Sequence, residues 1–293
     1  MFLIGGMLFV GPVVGMLAAL PFLPHNLEAI KHFLLTPTQE PVYKNAFLIL
    51  QAGNSLGWLI LTPWLYLRVV KKTSLRSCFK RFAPLPRPLL LTFILGIMVM
   101  IVNSPVIEWN KQVHFPEFMS GFEQWARAQE NMLARVTELL TQFDSFGQFI
   151  LAFAVISLIA GFAEEFFFRG VLQKHLQQYF NPHAAIWTTA ILFSAIHLQF
   201  FGFVPRMLLG AFFGYLYYYS GSLFYPMFAH ALNNGASVFF VYMIQQSGNP
   251  QPAAEEPSFP LYASALAFFS VIILFFYYKK YWTELMVRTE KNI

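Results

Sequence analysis

Two adjacent glutamates, Glu164 and Glu165, and an arginine four residues on, Arg169, stand where a long apolar run, residues 146 to 168, is ending. A charge inside a spanning helix costs about 2.5–3.5 kcal/mol on insertion scales, so ionisable groups at that depth pair with one another or do chemistry. Later apolar runs carry His197, His230 and Asn234. No nucleophilic side chain is part of this set, which leaves water as the attacking group. Glu164, helped by His197, would bind and deprotonate that water. His230 and Asn234 would donate hydrogen bonds to the oxyanion formed at an attacked carbonyl. Peptide hydrolysis inside a membrane fits this inventory.

The spacing divides the labour between the two acids. On an α-helix Glu165 and Arg169 share a face and form a natural ion pair, while Glu164 points about 100° away, toward whatever the helices enclose. His230 and Asn234 are likewise four apart and project from one side of a helix, with Asn233 beside them. A single histidine in an apolar helix is more often a satisfied structural residue. The reading therefore rests on three polar helix faces converging on one pocket. Asp144 is the only aspartate, so a two-aspartate mechanism is excluded. The zinc-protease pattern His-Glu-x-x-His is absent, although Glu164, His197 and His230 would suffice as a two-histidine, one-carboxylate zinc set. The expectation is no metal and no cofactor, with zinc as the alternative.

The elements that must position these residues are membrane helices. Of 293 residues, 57% are hydrophobic and 11% charged, against about 25% charged in an ordinary soluble domain. The mean hydropathy is +0.54. Apolar runs lie near 2–23, 46–68, 88–107, 146–168, 183–203, 204–220, 222–244 and 258–278, which predicts an all-α, polytopic bundle of about eight transmembrane helices. Short turns at Gly202–Pro205 and Ser220–Ser222 make the last runs before residue 244 tight antiparallel neighbours. The first run is too long for a signal-peptide core and has no basic region before it, so it is expected to be retained.

Arg68, Lys71, Lys72, Arg76, Lys80, Arg81 and Arg87 crowd one loop, and Lys279, Lys280, Arg288 and Lys291 the tail. The acids Glu108, Glu117, Glu123, Glu130, Glu138, Asp144, Glu255 and Glu256 fall in the loops between. By the positive-inside rule both termini are cytoplasmic and the Glu164 end of its helix faces the cytoplasm, in a multi-pass protein of the plasma membrane. This clustering beside spanning segments also accounts for the net charge of +5 without a nucleic-acid partner. The lone Cys78 excludes an internal disulfide. Between 109 and 145, Phe118, Phe122, Trp125, Met132, Val136, Leu139 and Phe143 recur at helical spacing and predict an amphipathic helix on the bilayer or on the other helices. Gly11-x-x-x-Gly15 and Gly210-x-x-x-Gly214 are read as packing. The chain accordingly divides into three N-terminal helices plus the amphipathic segment (1–145), a core carrying the polar motifs (146–245), and a last helix with a basic tail (246–293).

Glu164-Glu165-Phe-Phe-Phe-Arg169, Phe193-Ser-Ala-Ile-His197 and His230-Ala-Leu-Asn-Asn234 resemble, in order and spacing, the three motifs of the CAAX-processing and bacteriocin-processing (CPBP) family. That family comprises intramembrane glutamic endopeptidases, including the type II CAAX prenyl endopeptidases. The resemblance covers residues 146 to 245. It implies Glu164 as the water-activating residue, His197 as its helper, His230 and Asn234 as the oxyanion site, and Glu165 with Arg169 in support. It also implies a peptide or protein substrate, membrane-anchored or prenylated, met in membrane lipid. Two readings compete with it. A non-catalytic scaffold or immunity-type protein is opposed by the intact motifs, and a proton-coupled transporter by the lack of an inverted repeat or paired broken helices.

Overall fold

The computed structural model describes residues 5–23, 26–35, 43–73, 85–248 and 258–290. Cys78, Arg76, Lys80, Arg81, Glu255, Glu256 and Lys291 lie outside the described residues. Among those described, the secondary structure is helical throughout: α1 (Gly6–Phe22), α2 (Leu27–Leu35), α3 (Lys44–Val70), α4 (Pro86–Lys111), α5 (Ser120–Thr141), α6 (Phe146–Leu176), α7 (Pro182–Ala195), α8 (Phe203–Ser220), α9 (Phe224–Gln246) and α10 (Leu261–Glu290). The reason is the apolar solvent. Where no water can serve the backbone, N–H and C=O groups must be satisfied within the segment, and helices do this.

Six of these helices, α3, α4, α6, α8, α9 and α10, are long and apolar enough to cross a membrane. Sequence reading expected eight. The first run is a shorter helix, Gly6–Phe22. The fifth, read as 183–203, is helical for only 14 residues, Pro182–Ala195. At about 1.5 Å rise per residue that is roughly 21 Å, short of the hydrocarbon thickness. It stops because the chain turns at Ile196–Leu198, where Leu198 adopts φ 54°, a left-handed conformation incompatible with a continuing helix.

The chain forms two compact units, Met1–Leu75 with Asn131–Phe167 and Asn234–Glu255, and Arg76–Glu130 with Phe168–Asn233 and Glu256–Ile293. In the first, α1 lies directly on α3 through glycines. A Cβ on Gly15 would stand 2.6 Å from the Leu50 carbonyl oxygen, and one on Gly53 would stand 2.8 Å from the Gly15 Cα. Leu48, Leu140, Ala152 and Val155 make a second packed cluster. The turn before α6 is tied down by polar groups. The buried Lys44 ammonium donates to the Gln142 carbonyl and meets Asp144 at 3.1 Å. Gln245 donates to the Thr141 carbonyl at 2.7 Å and accepts from the Phe143 amide at 3.1 Å. Ser145 then caps α6 by accepting from the Gln148 amide.

In the second unit the core is Leu95, Phe213, Leu216, Tyr225, Ala229, Tyr278 and Trp282. Pro105 lies inside α4 and cannot donate to the Ile101 carbonyl, and the Ser264 hydroxyl of α10 donates to that oxygen at 3.0 Å. The α7–α8 pair packs through Gly210, where an added Cβ would meet Ala190 and Phe193, and through Gly214. Helix α8 ends at Gly221, φ 62°, whose amide reaches the Tyr217 carbonyl at 2.8 Å. The amphipathic segment is helical over Ser120–Thr141. Its apolar stripe is only partly covered: Ala126, Leu139 and Leu140 are buried, while Trp125, Met132 and the preceding Phe118 are exposed.

Candidate active site

The second unit gathers Arg169, His197 and His230 around two phenylalanines. Arg169 is completely buried. Its guanidinium donates to the Gly210 carbonyl at 2.7 Å and lies over the rings of Phe193 (4.9 Å) and Phe213 (5.5 Å). A guanidinium suits this place because it is planar, weakly hydrated and favourable against aromatic faces. His230, 4% exposed, stacks on Phe213 with centroids 4.8 Å apart and meets the edge of Phe193 at 5.8 Å. His197 meets the same Phe193 ring at 5.2 Å.

The His197 ring has a determined polarity. Its Nδ1 is 2.7 Å from the Phe193 carbonyl oxygen. A carbonyl only accepts, so Nδ1 carries the proton and Nε2 of the neutral ring is the basic nitrogen. His197 is also not mid-helix, as the sequence reading had it. It sits two residues beyond the end of α7, in the turn where its amide reaches Ser194 O. That position leaves the ring half-buried at the mouth of the α7–α8 connection.

One helical step from Arg169 is a residue that motif reasoning passed over. Gln173 is completely buried, and its amide donates to the Gly214 carbonyl at 3.1 Å. Arg169 to Gly210 and Gln173 to Gly214 form two rungs four residues apart on both helices. The pairing of Gly210-x-x-x-Gly214 with Arg169-x-x-x-Gln173 was the available signal, since glycines there expose carbonyls to a close neighbour. The segment Phe166–Gln173 is a π-helix, with hydrogen bonds reaching five residues back, and it begins directly after Glu165. Plain α spacing therefore describes Glu164 and Glu165 but not the residues after them. Wide turns of the same kind occur at Gly6–Val10, Leu56–Leu61, Tyr66–Val70 and Phe153–Ile159, so this one matters here for the spacing it changes and not as a mark of the site.

In the first unit, Glu164 and Glu165 end the regular α stretch Ala160–Glu165. Glu165 is completely buried and Glu164 half-buried. Asn234 of α9 donates from Nδ2 to the Ile156 carbonyl at 3.1 Å, a bond that uses one of its two amide protons. Next to it, Gly235 allows α9 to come close to α6: a Cβ there would lie 2.9 Å from the Ser157 hydroxyl. Among the described residues, no three His, Cys, Asp or Glu side chains are grouped as a metal site would need.

Comparison with known proteins agrees with the motif resemblance. Residues 146–236 match the family described as type II CAAX prenyl endopeptidase Rce1-like. The chain is also 34% identical over 79 residues to the uncharacterized protein YpbD of Bacillus subtilis (strain 168), an alignment covering 26% of this chain and 38% of that protein. This chain thus spans less than half the length of that curated relative. No solved structure matches.

Proposed function

We propose that this integral membrane protein is an intramembrane endopeptidase whose catalytic residues are Glu164, His197, His230 and Asn234. Glu164 and the Nε2 of His197 bind a water, Glu164 takes its proton, and the hydroxide attacks the scissile carbonyl. His230 and Asn234 donate to the resulting oxyanion, and the proton held on Glu164 is returned to the leaving amine as the carbon–nitrogen bond breaks. Glu165 and Arg169 form the supporting ion pair. Complete burial of both favours this, because an isolated buried charge costs several kcal/mol.

One observation carries the reading: the Phe193 carbonyl fixes the proton of His197 on Nδ1, so that Nε2 is the nitrogen able to accept a hydrogen bond from water. The family match of the segment holding all three motifs supports it independently. From that family the substrate class is a peptide or protein held at the membrane, prenylated near its C-terminus. The basic residues Arg68, Lys71, Lys72 and Arg87 beside spanning helices support cytoplasmic termini and a site toward the cytoplasmic face of the plasma membrane.

The test uses the purified full chain in liposomes and an internally quenched peptide bearing a farnesyl cysteine followed by three residues. Glu164→Gln should lower cleavage about 10²–10⁴-fold, the weight of a general base, with unchanged folding. A strong chelator should leave the rate unaltered. Loss on chelation with recovery on added zinc would instead assign Glu164, His197 and His230 to a metal, and undiminished cleavage by the Gln variant would end the proposal.

A further inference from the structure

Helix α8 starts without a cap of its own: its N-cap is Gly202, which has no side chain to accept from the first amides. Those amides have no partner inside the helix and need one from elsewhere. The partner comes from α4. Asn110, 4% exposed at the end of that helix, accepts through Oδ1 from the Val204 amide at 2.9 Å. Through Nδ2 the same side chain donates to the Phe200 carbonyl at 3.4 Å. One amide thus holds both the last turn of the α7–α8 connection and the first turn of α8.

What hangs on that connection is the imidazole pair. The connection begins at His197 and passes Leu198 in its left-handed conformation, so the backbone next to the imidazole is not one that local preference would select. On its far side, α8 carries Gly210, the acceptor for Arg169, and Phe213, against which His230 stacks. Other groups fasten the same stretch. Ser194 donates to the Phe203 carbonyl at 2.7 Å, Asn103 to the Pro205 carbonyl at 3.2 Å, and the Arg206 guanidinium to Gln199. The Phe200 ring packs on Phe122 and Trp125. Among these side chains Asn110 reaches the stretch from another helix with two bonds, one to Phe200 and one to Val204, and it lies outside the family-matching segment.

We infer that Asn110 is a positioning residue for His197, acting by capping α8 across helices and locking the Phe200 turn. It touches no reacting atom. The inference deepens the proposed function, since its catalytic consequence depends on His197 helping Glu164 to hold the water.

The test reads His197 directly. Diethyl pyrocarbonate acylates an unprotonated imidazole nitrogen, and mass spectrometry gives the rate at each histidine as a function of pH in the full chain. His183, at the start of α7 and 2.9 Å from the Tyr215 hydroxyl, serves as the internal control. Asn110→Ala should change the His197 rate about five-fold, the size expected from a lost cap, with His183 unaltered. Asn110→Asp keeps an acceptor for Val204 and loses the donor to Phe200, so it should give a smaller change in the same direction. This variant decides the matter if the Ala form fails to fold. Against the farnesylated reporter, Asn110→Asp should lower kcat with KM nearly constant. An unchanged His197 profile in a folded variant overturns the positioning role, whatever the reporter shows. Failure of the unaltered chain to cleave the reporter, with the His197 profile shifted, overturns the protease reading alone.

Discussion

Around His197 and His230 the chain fixes its side chains by directed contacts: a carbonyl on Nδ1 of one, a parallel phenylalanine under the other, and two carbonyls of α8 receiving Arg169 and Gln173. Around α1 and α3, in the other unit, the means is the reverse. Side chains are missing at Gly15 and Gly53, and backbone meets backbone. Directed contacts specify an orientation, which an imidazole or a guanidinium requires to be useful. Glycine seams specify only a separation, which suffices for helices whose task is to pack. The acidic residues Glu164 and Glu165 belong to the unit built on the seam, at the end of a regular α stretch.

That contrast can be broken most forcefully at Arg169. Arg169→Met removes the donor to the Gly210 carbonyl and the charge that Glu165 requires in the proposed site, so unfolding in detergent should become easier by about 3–5 kcal/mol. A change under 1 kcal/mol would mean that the directed contacts specify little. Gly15→Ala tests the seam. Its Cβ would meet the Leu50 carbonyl, a backbone atom that cannot rotate away, and overpacking of this kind costs about 1–3 kcal/mol by the same assay. A neutral result would show that α1 simply shifts.

The smallest effect concerns α5, where Glu123 and Glu130 are shifted in opposite senses. Glu123 accepts from the Phe115 amide at 2.8 Å and from Arg127, and these bonds hold its pKa near about 2. Its proton is bound more weakly folded than unfolded, so its contribution is present above the ordinary value near 4.5 and is lost as pH falls toward 2. Burial raises the pKa of Glu130, against a weaker lowering by the Phe201 backbone and the nearby Arg206 and Lys111. Its contribution is therefore complete below the ordinary value and lost as pH rises through the raised one. The Phe115 amide chemical shift should follow Glu123 with a midpoint near 2. A midpoint near 4.5 would remove the Glu123–Phe115 tie.

Much of this was legible in the chain. The all-α, membrane-embedded character follows from long uncharged runs, and Glu164, Glu165, Arg169, His197, His230 and Asn234 were singled out as site candidates by their polarity and spacing within those runs. Gly210 and Gly214 were rightly read as close-packing positions, yet their partner Gln173 went unnoticed, although it follows Arg169 by four residues as Gly214 follows Gly210. The placement of His197 in mid-helix was wrong. Hydropathy runs on smoothly through residues 183–203 and does not register a leucine held at positive φ by contacts from elsewhere.

Sequence alone determined which segments are apolar, and hence that they are helical, since a hydrocarbon solvent leaves the backbone no other economical way to satisfy its polar groups. It also determined which few residues there can bear charge or donate hydrogen bonds. Tertiary structure decided where the helix before His197 stops, which ring nitrogen keeps the proton, and that an asparagine from α4 caps α8. Those outcomes depend on which carbonyl or amide another segment brings within about 3 Å, and no periodicity along one segment encodes the approach of another.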